Sequence, residues 1–126
     1  MVIDDEVSVR AGVARYLRTQ RHDVFEACDG AEALRLVAQM QVDLVITDIN
    51  MPERDGIEVI VSLAECQPGL PVIAISGGGR VPKELLLSNA GGLGAVRTLP
   101  KPFDLTELRN AVAEALQDTA RGGSLP

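Results

Sequence analysis

The sequence is poor in aromatic residues and in positive charge, and these scarcities exclude one class of function. The chain of 126 residues has no tryptophan, and Tyr16, Phe25 and Phe103 are its only aromatic residues. Its formal charge at pH 7 is -6, because 18 acidic residues outnumber 12 basic ones. Nucleic-acid-binding domains usually present basic surfaces, often with aromatic side chains on which bases stack. We therefore expect no direct nucleic-acid binding by this domain.

Cysteine and histidine are also too few for a zinc site or a disulfide framework. The two cysteines, Cys28 and Cys66, lie far apart with no CxxC motif, and His22 is the only histidine. The cysteines are predicted to be free thiols, and His22 is predicted to be a solvated turn residue. The sequence also has no apolar run of transmembrane length and no charged segment leading into an apolar, cleavable one. We expect a cytoplasmic protein that makes no membrane contact.

The length and the 46% hydrophobic composition suit one compact domain with one core. We assign residues 1–118 to this domain. Residues 119–126 contain Gly122, Gly123 and a terminal Pro126, and they are predicted to form a flexible tail or a truncated linker.

Apolar runs alternate five times with segments of helical spacing, which predicts an α/β fold. The final helix begins at Asp104, a good N-cap, with Glu107 three residues later. In the first helix, Arg10, Arg15 and Arg18 are expected to face solvent. Such alternation favours a parallel sheet with helices on both faces. The predicted strands are 1–3, 24–27, 43–47, 70–75 and 95–99, and the predicted helices cover 6–20, 29–40, 57–64, a segment after Pro82 and a segment from Asp104.

Polar residues follow four of the predicted strands, where the ligand crevice of an open parallel sheet lies. The first strand leads to Asp4 and Asp5, the third to Asp48, the fourth to Ser76 and the fifth to Lys101. Carboxylates about 4 Å apart repel by roughly 4 kcal/mol per pair at an effective dielectric near 20. A positive charge is therefore required at this edge of the sheet.

A magnesium ion meets that requirement, because Mg²⁺ prefers oxygen ligands and leaves room for a phosphate oxygen. Asp5 and Asp48 are the predicted carboxylate ligands, with Asp4 nearby or acting through water. The backbone carbonyl of Asn50 is a candidate third ligand.

The same residues suit phosphoryl transfer, which requires mainly positioning and charge stabilisation. Asp48 is a candidate nucleophile toward phosphorus. Lys101 would supply a second positive charge, and Ser76 would donate a hydrogen bond to a phosphate oxygen. The Lys101–Pro102 bond is a candidate cis peptide, since only X-Pro bonds adopt that form readily.

Simpler interpretations of these residues exist. Asp4 and Asp5 could merely cap the first helix, and Lys101 could be a solvated surface lysine. An aspartyl-phosphate phosphatase is an enzymatic alternative. Such enzymes need a second acid two residues after the nucleophile, and Asn50 occupies that position.

Taken in order, these motifs resemble a response regulator receiver domain of two-component signalling. The resemblance extends from Val2 to about Gln117. It rests on the acidic run 4–6, the segment 48–56 with its Met-Pro and Asp-Gly pairs, Ser76, the Gly94-Ala95 pair and the Lys-Pro-Phe run 101–103. It implies a flavodoxin-like (CheY-like) three-layer α/β/α sandwich, with five helices and a five-stranded parallel sheet of order 2-1-3-4-5.

The resemblance also implies a function. Asp48 would accept a phosphoryl group, in a reaction that requires Mg²⁺, from a phosphohistidine on a sensor histidine kinase or a phosphotransfer protein. Ser76 would then move toward the phosphate, and Lys101 would pair with it. The surface formed by the fourth helix, fifth strand and fifth helix would change in response. The domain would be a signalling switch and not an enzyme.

Two features bear on the output of such a switch. The family usually has Tyr or Phe three residues before the lysine, where this chain has Thr98. Leu85, Leu86 and Leu87 spread over about 200° of a helix, so one face cannot bury all three. Either one leucine contributes to a homodimer or partner surface, or glycine-rich loops cover it. A degenerate receiver that acts as a phosphorylation-independent docking module is a further alternative.

Overall fold

The computed structural model describes residues 1–49, 55–67, 69–76 and 96–124. Five strands form one sheet of order β2-β1-β3-β4-β5, and every neighbouring pair is parallel. This confirms the predicted sheet and its order. The strands are β1 Val2–Ile3, β2 Glu26–Ala27, β3 Val45–Asp48, β4 Val72–Ser76 and β5 Val96–Pro100.

The described residues include four of the five predicted helices. They are α1 Val7–Thr19, α2 Gly30–Gln39, α3 Asp55–Cys66 and the C-terminal helix Leu105–Ser124. The predicted helix that carries Leu85, Leu86 and Leu87 lies outside the described residues, and so does Asn50.

Two hydrophobic cores lie on opposite faces of the sheet, so the molecule has three layers. Successive strand residues contribute to different cores because side chains alternate along a strand. In β3, Val45 packs with α2 and α3, whereas Ile46 packs with α1 and the C-terminal helix. The same alternation holds in β4 from Val72 to Ile75. Strands that are covered on both faces explain why their sequences are continuously apolar.

The ends of the elements differ from the predicted ones for a physical reason. The third predicted strand begins at residue 43, but β3 begins at Val45, where its register with Val72 of β4 begins. Asp48 and Ser76 are the last residues of their strands and do not follow them. A strand extends as far as it has a partner, and apolar residues alone do not mark that limit.

The C-terminal helix also extends past the predicted domain boundary after residue 118, since it ends at Ser124. Residues 119–124 are therefore helical, in contrast to the predicted loose tail. Once a helix is nucleated, each further residue adds a hydrogen bond without a new nucleation cost. The division of the chain into a domain and a tail stays a prediction. Within the described part of the chain, no helix combines the length and the apolar character needed to cross a membrane.

The packing of α2 against α3 gives a first testable prediction. A Cβ atom added at Gly30 would clash with Cγ2 of Val59. Val59 is buried and β-branched, so its side chain has little rotamer freedom with which to move away. We expect Gly30→Ala to lower the free energy of unfolding by about 1–3 kcal/mol, measured by urea denaturation. In a Val59→Ala background the same change should cost little, because the obstructing methyl group is gone.

Gly12→Ala is the matched control. Gly12 lies within α1, and a Cβ there meets nothing within 4 Å. This change should stabilise the protein by about 1 kcal/mol, since alanine is the better helix former. Equal effects of the two substitutions would contradict the close approach of Gly30 to Val59.

Candidate functional site

The register of the sheet brings the predicted site residues to one edge. Asp48 of β3 lies opposite Ile75 of β4, and Ser76 lies opposite Pro100 of β5. The chain then continues into Lys101, whose backbone N donates to the Ser76 carbonyl at 2.8 Å. The parallel pairing of β3, β4 and β5 thus joins residues that are far apart in the sequence.

An ion pair between Lys101 and Asp48 lies at the centre of this edge. Lys101 Nζ donates to Asp48 Oδ2 at 2.9 Å. The Asp48 side chain is 9% exposed and that of Lys101 is 37% exposed. The hydrogen bond to Asp48 raises the pKa of Lys101, against the opposing effect of burial. The Lys101–Pro102 peptide is cis, as predicted.

Asp4 adds a second buried carboxylate to the edge. The residue is only 4% exposed, and its Oδ1 accepts a hydrogen bond from the Glu6 backbone N at 2.9 Å. Burial raises the pKa of Asp4, and the charges of Asp48 and Asp5 raise it further. The Glu6 amide and Lys101 act in the opposite direction. Asp4, Asp5, Asp48 and Lys101 therefore form one electrostatic cluster.

The contacts of Asp4 also bear on the interpretation of the acids as helix caps. The N-cap of α1 is Glu6, which makes no side-chain capping bond. The Asp4 carboxylate accepts from an amide two residues ahead, which is an Asx turn before the helix. Asp5 is exposed. The acids thus shape the turn between β1 and α1 and leave carboxylate oxygen atoms at the sheet edge.

The donor chemistry of the cluster fits a magnesium ion. Magnesium is usually bound by one or two carboxylates, with water and phosphate oxygens completing its shell. The two buried aspartates and exposed Asp5 supply such oxygens. Among the residues that the structure describes, no group of three or more His, Cys, Asp or Glu side chains is placed so that it could hold a metal by itself. Asn50, the predicted carbonyl ligand, lies outside these residues.

Ser76 and Thr98 differ in solvent exposure and in their positions along their strands. Ser76 is 2% exposed at the carboxyl end of β4, at the edge where Asp48 and Lys101 meet. Thr98 is an exposed residue in the middle of β5, opposite Ala74. The roles assigned to both residues stay predictions.

The expectation that Arg10 faces solvent is wrong. Its side chain is 15% exposed, and its Nη1 donates to the Asp4 carbonyl at 2.7 Å. The spacing contains the signal, because Arg10 precedes Val13, Ala14 and Leu17 by three, four and seven residues. Residues at these separations share one helix face, and all three are buried.

The fold agrees with comparisons to known proteins. A family model described as the response regulator receiver domain matches residues 1–113. The transcriptional regulatory protein GlrR of Escherichia coli (strain K12) is 32% identical over 120 residues, which are 95% of this chain and 26% of that protein. The chain thus spans about a quarter of the length of this relative.

Two further comparisons cover whole domains. Sporulation initiation phosphotransferase F of Bacillus subtilis (strain 168) is 28% identical over 116 residues, which are 92% of this chain and 91% of that protein. The crystal structure of a response regulator receiver domain protein from Clostridium thermocellum has a TM-score of 0.83 and 27% identity, and the match covers 94% of each chain. Sequence, sheet order and structural similarity agree, and the chain belongs to the response regulator receiver domain family of two-component signalling.

Proposed function

We propose that Asp48 is the phosphoacceptor of this receiver domain. The observation that carries the proposal is the buried Asp48 carboxylate, hydrogen-bonded to Lys101 at 2.9 Å beside a second buried carboxylate, that of Asp4. A buried acid beside other acids and one lysine is a costly arrangement that folding alone does not require. It suits a site at which negative charge is added and balanced.

The donor would be a phosphohistidine on a sensor histidine kinase or a phosphotransfer protein. An Asp48 oxygen attacks phosphorus, the P–N bond to the imidazole breaks as the new O–P bond forms, and the imidazole takes up a proton. The product is an acyl phosphate, which water later hydrolyses to restore the carboxylate. The domain would assist only its own phosphorylation and dephosphorylation, as a switch and not as an enzyme with a turned-over substrate.

Each neighbouring group would have a defined task. Lys101, which is already paired with Asp48, would pair with a phosphate oxygen after phosphorylation. Ser76 ends the adjacent strand and would donate its hydroxyl to another phosphate oxygen. Asp5, Asp48 and Asp4 would hold Mg²⁺ with the Asn50 carbonyl, and the ion would supply positive charge against the incoming phosphate.

The first experiment measures covalent phosphorylation directly. We expect intact mass to show the gain of one phosphoryl group on incubation with acetyl phosphate and Mg²⁺. Asp48→Asn should show no gain, because an amide oxygen is a poor nucleophile. Asp43→Asn is the matched control, since this exposed aspartate precedes the same strand at its other end. Phosphorylation of Asp48→Asn to the wild-type extent would refute the assignment, and rapid turnover of the phosphodonor would favour the phosphatase alternative.

A second experiment tests the charge distribution by NMR titration without divalent cations. In Asp48→Asn, the pKa of Lys101 should fall, because the hydrogen bond to Asp48 is the main cause of its raised value. The pKa of Asp4 should also fall but stay above its ordinary value, since burial is the larger cause and persists. Unchanged pKa values in Asp48→Asn would contradict the cluster, whereas Asp43→Asn should leave both as in wild type.

The sign of the effect on stability follows from these shifts. A carboxyl group with a raised pKa in the folded state binds more protons there than in the unfolded chain. The Asp4 contribution to stability therefore decreases as pH rises from 3.8 through its raised value. Asp48→Asn should reduce this loss of stability. The measurement is the free energy of unfolding at a series of acidic pH values. The Lys101 contribution persists below pH 10.5 and is lost at higher pH.

The proposed output is a change in the surface formed by the predicted fourth helix, β5 and the C-terminal helix, with a homodimer as one form. We expect Leu86→Glu to weaken self-association or partner binding, measured by sedimentation with and without phosphodonor. A glutamate in an apolar interface would carry an uncompensated charge. Unchanged sedimentation would exclude a role of Leu86 in such an interface.

A further inference from the structure

Arg10 contacts the residues on both sides of Asp5. Its guanidinium Nη1 donates to the Asp4 carbonyl at 2.7 Å. Its backbone N donates to the Glu6 carbonyl at 3.0 Å, a backbone bond of α1 that does not depend on the side chain. Asp5 itself is exposed, so the position of its carboxylate depends on how firmly its two neighbours are held.

The rest of the turn is fixed by Asp4. Its backbone N donates to the Ala27 carbonyl at 3.1 Å, and its Oδ1 accepts from Glu6 N at 2.9 Å. These bonds hold the amide and the side chain of Asp4. The bond from Arg10 holds its carbonyl, which is the atom group closest in sequence to Asp5.

Glu26 of β2 orients the Arg10 side chain. Arg10 Nε lies 3.4 Å from Glu26 Oε1 while Nη1 donates to the Asp4 carbonyl. The planar guanidinium is suited to two such simultaneous contacts, whereas a lysine has one ammonium. Arg18 pairs with the other oxygen of Glu26, also at 3.4 Å, but its Nη2 donates to the Val24 carbonyl at 2.9 Å.

We propose that Arg10 is a positioning residue that holds the turn between β1 and α1 so that the Asp5 carboxylate is placed to bind a divalent cation. The inference rests on the proposed function, because that function assigns Asp5 to cation binding. Partners that orient metal ligands typically change metal affinity 10–100-fold when they are removed. A looser turn would also lose conformational freedom on binding the cation, which weakens the affinity.

The charge of Arg10 and its positioning contacts have opposite effects on Mg²⁺ affinity. The two roles can therefore be distinguished. A guanidinium beside the acidic turn repels an incoming cation, so loss of its charge alone would tighten binding. Loss of the positioning contact would weaken binding. The sign of the change in Mg²⁺ affinity therefore decides between the two roles.

The test is a Mg²⁺ titration of the full chain in which the NMR signals of the backbone amides report binding. It requires no phosphorylation. We expect the Mg²⁺ dissociation constant of Arg10→Met to rise about tenfold over wild type. Arg18→Met is the matched control, because Arg18 shares Glu26 but contacts the backbone ahead of β2. Its dissociation constant should equal that of wild type.

Arg10→Lys keeps the charge, but its N–H donors all lie on one nitrogen atom and cannot reproduce both contacts of the guanidinium. Its Mg²⁺ affinity should lie between those of wild type and Arg10→Met. Should Arg10→Met fail to fold, Arg10→Lys compared with Arg18→Lys gives the same contrast with both charges retained. Thermal unfolding of each variant separates a loss of stability from a loss of affinity.

Two results would overturn the inference, and they are distinguishable. Unchanged or tighter Mg²⁺ binding in Arg10→Met, with wild type binding Mg²⁺, would refute the role of Arg10 alone. Absence of Mg²⁺ binding to wild type would refute the assignment of Asp5 in the proposed function, and the role of Arg10 with it.

Discussion

The ion pair between Lys101 and Asp48 is the interaction on which the candidate site depends. It joins residues 53 positions apart in the sequence at a separation of 2.9 Å. Their approach is possible only because β3, β4 and β5 pair in parallel, so that their carboxyl ends meet at one edge. The same pairing brings the Ser76 carbonyl to the Lys101 amide. The sheet thus fixes both the backbone and the side chain of the lysine.

This edge of the sheet is electrostatically costly, and the cost is informative. Asp4 is buried near two other carboxylates, and burial raises its pKa. Elsewhere the cores on both faces of the sheet are apolar and closely packed, as the position of Gly30 against Val59 illustrates. Several carboxylates gathered with a lysine at one edge of a well-packed domain are typical of functional sites. One lysine balances part of this charge, and a bound cation would balance more.

The turn between β1 and α1 links this edge to the neighbouring elements. Asp4 hydrogen-bonds Ala27 after β1 ends, and Arg10 connects the Asp4 carbonyl to Glu26 of β2. The acids therefore do not extend from a free loop, since contacts with α1 and β2 hold their backbone. Arg18 forms a similar bridge from the same glutamate to the Val24 carbonyl, ahead of β2.

The sequence by itself determined the fold class, the order of the elements and the identity of the residues at the carboxyl edge. Continuous apolar runs specify strands buried on both faces, and polar residues directly after them must meet at one edge. Sequence did not determine where β3 begins or how far the C-terminal helix extends, because pairing partners and helix propagation set those limits. Only the tertiary structure decided the contact between Lys101 and Asp48 and the contacts of Arg10 with Asp4 and Glu26. Both depend on distances between elements, and the period of a single element does not contain that information.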